Sequence, residues 1–210
     1  MNKLLVLLFC FIAFSKLTVA QDTIVTMEGE RIVAKSITIN QTSNECFYVK
    51  LNDSEKVIDF EDIFSVRDTL GKETIYYKQD PQKGFYESPA DMKLYVEGMM
   101  AAQKKYKSPL SSCGGMILSV SAVTAVAITG IGGLFWTPLV PVIYTGFVLK
   151  SKPSVTKITN SLPENLRQEK YIIGYITQVK KKRVNNAIFG SVGGLILGCF
   201  GYFIVSSIQK

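Results

Sequence analysis

The sequence predicts a membrane protein with a small all-β head and an α-helical membrane region. Residues 108–149 include no Asp, Glu, Lys, Arg or His, and residues 184–209 form a second uncharged run. A bilayer core requires about 20 apolar residues per helix, so the first run suits a helical hairpin and the second suits one further span. Ahead of both runs, residues 22–79 alternate short β-type segments with turn residues, which predicts about six short strands in a barrel-like arrangement.

The first 20 residues have the order of residue types found in a secretory signal peptide. Lys3 precedes an apolar run at residues 4–14, and the small residue Ala20 ends a less apolar segment. Such a run is too short to cross a bilayer, which predicts cleavage of residues 1–20 and leaves an uncleaved amphipathic anchor as the alternative. Either version exports the next segment, so we expect the head outside the cytoplasm.

Residues 21–80 form the predicted β domain. A turn at Gly29 separates the first two strands, and a later segment places Phe47 and Val49 on one face. Residues 57–66 (VIDFEDIFSV) then predict a strand, a short helical turn and another strand. In this order of elements the head resembles the small Sm-like or SH3-like barrels. The resemblance implies a fold and no function, because such folds host many functions.

Residues 81–107 are predicted to be a linker followed by an amphipathic helix at the membrane surface. Ser88 suits the helix cap, Pro89 the first turn, and Asp91 can reach back to the cap. Apolar side chains then recur at the three- and four-residue spacing of a helix, at Met92, Tyr95, Met99, Ala102 and Tyr106. We expect this stripe to pack on a neighbouring helix or on lipid.

Residues 108–150 are predicted to form a transmembrane helical hairpin. Glycines within residues 130–133 lie near the middle of the uncharged run and are followed by Pro138, which favours a break between two helices. A hairpin returns the chain to the side from which it entered. The alternative is a single bent crossing at residues 113–150, which would place the basic residues 180–183 in the cytoplasm, the side that Lys and Arg prefer.

Residues 151–183 are predicted to form a loop and a second interfacial helix, which repeats a motif of the first. Tyr-x-x-Gly occurs twice, each time followed by a lysine pair and then by an uncharged run. Tyrosine suits the depth of the headgroups, glycine permits close contact, and lysine attracts lipid phosphate. The membrane-interface residues predicted from the two copies are Tyr95, Gly98, Lys104, Lys105, Tyr171, Gly174, Lys180 and Lys181.

Residues 184–209 are predicted to be a transmembrane helix that packs through small residues, as in a glycine zipper. In lipid, helices associate largely through close approach of their backbones, which small side chains at four-residue spacing permit. We expect this helix to pack on the hairpin or on a second copy of the chain, giving a homo-oligomer. The residues predicted to make these contacts are Ser121, Ala125, Thr129, Gly133, Gly190, Gly194 and Gly198.

The order of these parts resembles that of a known protein family. A β-rich exported head is followed by a Tyr-x-x-Gly helix, an apolar hairpin with proline, and a Tyr-x-x-Gly-Tyr helix with a lysine pair before the last span. Over most of residues 22–205 the chain thus resembles a family of uncharacterised envelope proteins in Bacteroidota. The resemblance implies a location in the membrane of a bacterial cell envelope, with the β head exported to the periplasmic side, and no particular activity.

The composition argues against an enzyme. The chain contains no His, which removes Ser-His-Asp and Cys-His catalytic sites and most zinc sites. No glycine-rich phosphate loop follows a predicted strand, so we predict no catalytic residue, no metal site and no cofactor. The carboxylates of Asp59, Glu61 and Asp62 are interpreted as a solvated turn, with a weak Ca²⁺ contact as the alternative.

The charge distribution indicates a lipid bilayer as one partner. Residues 21–80 carry 7 basic and 12 acidic residues, whereas residues 81–210 carry 15 basic and 5 acidic residues, with the basic excess beside the apolar runs. An exported chain rarely meets nucleic acid, so we expect none. The sequence thus predicts a non-enzymatic, membrane-anchored envelope protein whose β head binds an unknown protein or glycan and whose glycine-rich spans anchor or oligomerise it. The alternative is a pore-forming or transporter accessory subunit built on glycine-zipper helices.

Overall fold

The structure, a computed structural model, describes residues 21–40, 42–129 and 134–208. The chain divides into two compact units, Met1–Tyr77 and Lys78–Lys210. In the described residues the first unit consists of strands and the second of helices. The predicted signal peptide at residues 1–20 and the predicted packing residue Gly133 lie outside the described residues.

The described residues of the first unit form a six-stranded antiparallel sheet, which confirms the all-β head of about six short strands. The strands are β1 (Asp22–Thr26), β2 (Arg31–Asn40), β3 (Glu45–Lys50), β4 (Glu55–Asp59), β5 (Ile63–Arg67) and β6 (Glu73–Ile75). Their order across the sheet is β4-β3-β2-β1-β5-β6. A single 3-10 turn, Phe60–Asp62, joins β4 to β5 at the place where the sequence predicts a short helical turn.

The sheet does not close into the predicted barrel. β4 and β6 are its two edges, and no ladder joins them within the part of the chain that the structure describes. Closure requires edge strands that pair along their length. β6 has only three residues, and every side chain of β4 except that of Ile58 is exposed. Short edge strands with charged side chains also resist pairing with other chains.

One core cluster of the head lies on one face of the sheet. Ile24, Ala34 and Cys46 are fully buried there, and Ile63 is almost so. The alternation of side chains along each strand places these apolar residues on the same side. The predicted turn between β1 and β2 is present, and Gly29 adopts a φ of 74°, which residues with a side chain rarely adopt.

Within the described residues, the second unit contains five α-helices. They are α1 (Pro89–Lys105), α2 (Pro109–Thr129), α3 (Leu139–Lys150), α4 (Val155–Ser161) and α5 (Glu169–Ile208). α1 begins as the sequence predicts, because the Asp91 backbone N–H donates to Ser88 Oγ across 3.1 Å and Pro89 occupies the first turn. Within the apolar stripe of α1, Met92, Met99 and Ala102 are buried.

The second interfacial helix and the last span are one continuous helix. The expected boundary between residues 183 and 184 falls inside α5, which has 40 residues. At 1.5 Å per residue α5 is about 60 Å long, or about twice the thickness of a bilayer core. Residues 180–186 contain neither Gly nor Pro, so the local sequence does not end the helix there.

Two of the described helices, against about three expected, are long and apolar enough to cross a membrane. The candidate spans are Pro109–Ile128 in α2 and Glu169–Ile204 in α5. α3 is apolar but has 12 residues, or about 18 Å, against a bilayer core of about 30 Å. The Tyr144 hydroxyl of α3 donates to the Ser111 carbonyl near the start of α2 across 3.1 Å. The chain therefore turns back as a hairpin does, with a second leg that is only partly helical.

Candidate functional site

The two Tyr-x-x-Gly motifs lie against each other where α1 crosses α5. Gly98 lies against the Tyr171 carbonyl, and Gly174 lies against the Tyr95 carbonyl. A Cβ atom at Gly98 would overlap the Tyr171 carbonyl oxygen and come 3.0 Å from the Tyr175 backbone nitrogen. The contact is thus reciprocal, and both glycines are needed for the close approach of the two backbones.

This contact explains why the motif occurs twice. The two copies are 76 residues apart, and matched residues lie side by side because α1 runs in the same direction as the first half of α5. Lys170 Nζ, at the start of α5, bonds Glu87 Oε1 across 2.6 Å just before α1 begins. At the other end, Lys182 bonds the last turn of α1. The placement of the motifs at a lipid surface stays a prediction.

The three glycines of α5 that are predicted to pack all contact α2. A Cβ atom at Gly194 would come 2.5 Å from the Met116 carbonyl oxygen and 2.8 Å from its Cα. A Cβ atom at Gly198 would come 2.9 Å from the Cβ of Val123. Gly190 lies closer still to the backbone of the N-terminal part of α2. Side chains at these positions would therefore separate the two helices.

The face that α2 presents to α5 differs from the predicted stripe. Ser121 and Ala125 are exposed. Thr129 is the last residue of the helix, and its side chain, like the whole of Gly133, lies outside the described part of the structure. Both stripes repeat small residues every four positions, but two positions along a helix rotate a side chain by about 200°. The pattern alone cannot choose between such opposite faces. The buried face of α2 carries Ser111, Gly115, Ser119 and Val123.

Two glycines to which the sequence pattern assigns no role also make close contacts. A Cβ atom at Gly114 would come 2.5 Å from the Tyr144 hydroxyl oxygen, and one at Gly115 would come 2.9 Å from the Ala187 carbonyl oxygen. The same 76-residue offset matches Gly114 with Gly190, which is a signal in the sequence for Gly114 but not for Gly115.

Basic side chains gather at one level of the helical unit, where α1 ends and α2 begins. Lys182 Nζ donates to the carbonyl of Tyr106 across 3.0 Å and also to that of Gln103, which satisfies the end of α1. Arg183 donates to Ser151 Oγ across 2.8 Å and so holds the end of α3 at this level. We call these two residues, together with the exposed Lys104, Lys105, Lys180 and Lys181, the basic belt.

Beyond the basic belt, the interface of α2 with α5 relies on shape more than on polar contacts. Asn186 Nδ2 donates to the Ser108 carbonyl across 3.2 Å at the start of α2. Farther along, the hydroxyls of Ser119 and Ser191 are buried and have no hydrogen-bond partner among the described residues. Small side chains and backbone contacts therefore determine how the two helices fit.

The head carries an open cleft of about 520 Å³ beside the turn between β1 and β2. Tyr48 lines the cleft and is 8% exposed, and its burial together with the charge of Glu30 raises the pKa of its hydroxyl. Burial likewise raises the pKa of the Cys46 thiol on the same strand. Among the described residues, no group of three or more Cys, Asp or Glu is placed to hold a metal ion. The cleft is also lined by Met27, Glu28, Glu30, Ile32, Lys50 and Asp62.

No protein-family model, curated protein or solved structure matches the chain. The resemblance to envelope proteins of Bacteroidota therefore stays a prediction from the order of the parts.

Proposed function

We propose that this chain is a non-enzymatic, membrane-anchored protein of the cell envelope, in which the helical unit is the anchor and the β head binds a protein or glycan. The distribution of side chains on α2 and α5 carries the proposal. Only 22% of the apolar window of α2 and 28% of that of α5 is buried. The helices contact each other through small residues and direct large ones outward, including Ile117, Leu118, Phe189, Leu197, Phe200 and Phe203.

This distribution is the reverse of that in a water-soluble helical protein. Burying one Leu, Ile or Phe side chain is worth about 1.5–3 kcal/mol, so a soluble fold places its large apolar side chains between helices. Lipid removes that preference, because its tails are as apolar as the side chains themselves. Association in lipid then depends on close backbone approach, which is what Gly194 and its neighbouring glycines provide.

The basic belt supports the same proposal. It lies where α2 begins, next to a stretch that carries no charge from residue 108 to residue 149. A lysine near anionic headgroups contributes about 1 kcal/mol to membrane binding. A membrane surface at the belt would leave α1 and the first half of α5 on the polar side, with α2 and the rest of α5 in lipid.

Several features support the role assigned to the head. Its sheet is open, with β4 and β6 as edges, and it carries a cleft that is large enough for a ligand. The predicted signal peptide would export this unit, which is where an envelope partner would meet it. The absence of His from the sequence supports binding over catalysis.

The anchoring part of the proposal is tested by fractionation of cells that express the full chain. We expect the protein to stay in the membrane pellet after extraction with sodium carbonate at high pH and to be released by detergent. Carbonate removes proteins that are held by charge alone, so the basic belt by itself would not retain the chain. Recovery of the protein in the carbonate supernatant would overturn the anchoring proposal.

The binding part is tested by crosslinking in native membranes. A photo-crosslinking residue at Val57, which is exposed on β4, should capture a discrete envelope component that mass spectrometry identifies. The same residue at Val25, which is buried in β1, is the matched control and should capture none. Identical patterns from the two positions, or no adduct from either, would contradict partner binding by the head.

A further inference from the structure

The outer edge of β4 has no neighbouring strand within the part of the chain that the structure describes. Alternate backbone N–H and C=O groups of an edge strand point away from the sheet and can pair with another extended chain. On its inner side β4 pairs with β3 through five consecutive residues, from Glu55 opposite Val49 to Asp59 opposite Glu45. The ladder has no bulge, so the free edge is regular and can accept a further strand.

One face of this edge presents an apolar centre between two carboxylates. Side chains alternate along a strand, so Glu55, Val57 and Asp59 share one face of β4, whereas Ile58 packs against the core cluster on the other. Val57 is 54% exposed, and Phe47, directly opposite on β3, is 43% exposed. The head therefore leaves an apolar cross-strand pair in contact with solvent beside an unpaired edge.

The carboxylate of Asp59 lies in an unfavourable position within the sheet. Asp59 is directly opposite Glu45 on β3, and the next residue in the same row, on β2, is Asn40. Like charges directly opposite each other destabilise a sheet. Since this row of the three strands contains no basic residue, the sheet itself does not neutralise the pair. A cation supplied from the open side of β4 would do so.

A second copy of the chain does not supply that cation. Two β4 strands that pair antiparallel around Val57 would place Glu55 of one copy opposite Asp59 of the other. An edge of this kind repels its own copy and accepts a strand of opposite charge. We propose that the β4 edge binds an extended polypeptide segment as a seventh strand, with an apolar residue opposite Val57 and lysine or arginine opposite Glu55 and Asp59. The proposal rests on the function proposed above, because it specifies the partner of the head as a basic protein segment.

The test uses the full chain in nanodiscs of phosphatidylcholine, which has no net charge and so does not attract a basic probe. The probe is a fluorescent acetyl-Thr-Lys-Thr-Val-Thr-Lys-Thr-amide peptide, and its affinity is measured by fluorescence anisotropy. We expect Glu55→Gln and Asp59→Asn each to weaken binding by about 2- to 5-fold, as the loss of an exposed ion pair does. Glu164→Gln is the matched control, because the exposed Glu164 belongs to the helical unit and its substitution should leave the affinity unchanged. A peptide N-methylated at every residue keeps its charges but donates no backbone hydrogen bond, so it should not bind.

Three outcomes would overturn the inference. Equal weakening by Glu55→Gln and Glu164→Gln would mean that only the overall charge of the chain attracts the peptide. Equal binding of the N-methylated peptide would exclude strand pairing. Absence of binding by the unmodified peptide would exclude a basic strand of this pattern. If a discrete component is still captured by crosslinking at Val57, the head binds a partner of another kind, so failure here is distinguishable from failure of the proposed function.

Discussion

Substitution of Gly194 by Ala tests the packing of α5 on α2, and the adjacent Gly193 provides the control. Both glycines lie in the same helix, one position apart, and each gains the same single methyl group. Gly194 faces α2, whereas a Cβ atom at Gly193 would have nothing within 4 Å. The two variants therefore differ in what the methyl group meets and not in its chemistry.

The expected size of the effect follows from the distances. The methyl carbon at position 194 would lie 2.5 Å from the Met116 carbonyl oxygen, whereas ordinary contacts lie at 3.4–4 Å. The helices must separate by about 0.5–1 Å, which removes about a quarter to a half of the dispersion energy at each separated contact. Overpacking of this kind costs about 1–3 kcal/mol. Both variants also gain about 1 kcal/mol of helix propensity, which cancels in the comparison.

The free energy of unfolding is measured on the detergent-solubilised chain by titration with SDS, with helical circular dichroism as the signal. We expect Gly194→Ala to be less stable than Gly193→Ala by about 1–3 kcal/mol. Equal stabilities of the two variants, or a greater stability of Gly194→Ala, would refute the register in which α5 packs on α2.

Four further predictions concern other parts of the molecule. Gly98→Ala and Gly174→Ala should each destabilise the crossing of α1 with α5 by about 1–3 kcal/mol. The two losses should not add, because both substitutions break one shared contact. Additive losses in a double-mutant cycle would contradict this. Lys182→Met should remove about 1–3 kcal/mol of stability and speed hydrogen exchange in the last turn of α1, whereas Lys180→Met, at an exposed position, should do neither. Burial raises the pKa of the Cys46 thiol above its ordinary value of 9.0, so the folded head favours the neutral thiol. The contribution of the neutral Cys46 thiol to the free energy of unfolding is therefore complete below pH 9.0 and is lost as the pH rises through the folded pKa. Above pH 9.0 the free energy of unfolding should therefore fall less steeply with pH in Cys46→Ala than in the unchanged chain. An unchanged slope would refute this. The last prediction concerns a variant whose only cysteine replaces Asn160, which is exposed. This cysteine should react with an impermeant thiol reagent in cells with a permeabilised outer membrane. Protection of the cysteine from the reagent would contradict the hairpin.

The local structure of the head could be predicted from the sequence, but whether its sheet closes into a barrel could not. The six strands, the turn at Gly29 and the 3-10 turn before β5 follow from alternation and turn residues, which act over a few positions. A closed barrel requires β4 to pair with β6 across the whole sheet. That pairing depends on two edges far apart in the sequence, and the three residues of β6 do not provide it.

The limits of prediction for the helical unit have a similar origin. Long uncharged runs predict apolar helices, and α2 and α5 agree with that expectation. The repeated Tyr-x-x-Gly motif is visible in the sequence, yet its reciprocal contact is not, because no local pattern says that Gly98 meets Tyr171. The buried face of α2 is a further example, since Ser119 and Ser121 carry the same side chain and only one of them is buried.

The sequence by itself determined which segments are apolar, where α1 begins, and where the charges lie, because these are properties of neighbouring residues. Tertiary structure alone decided that Lys182 completes the end of α1, that Gly194 rests on Met116, and that an acidic cleft opens beside β1. Each of these depends on the distance between residues that are far apart along the chain. A repeating local pattern leaves more than one helix face equally suitable, and the mutual fit of the backbones selects one of them.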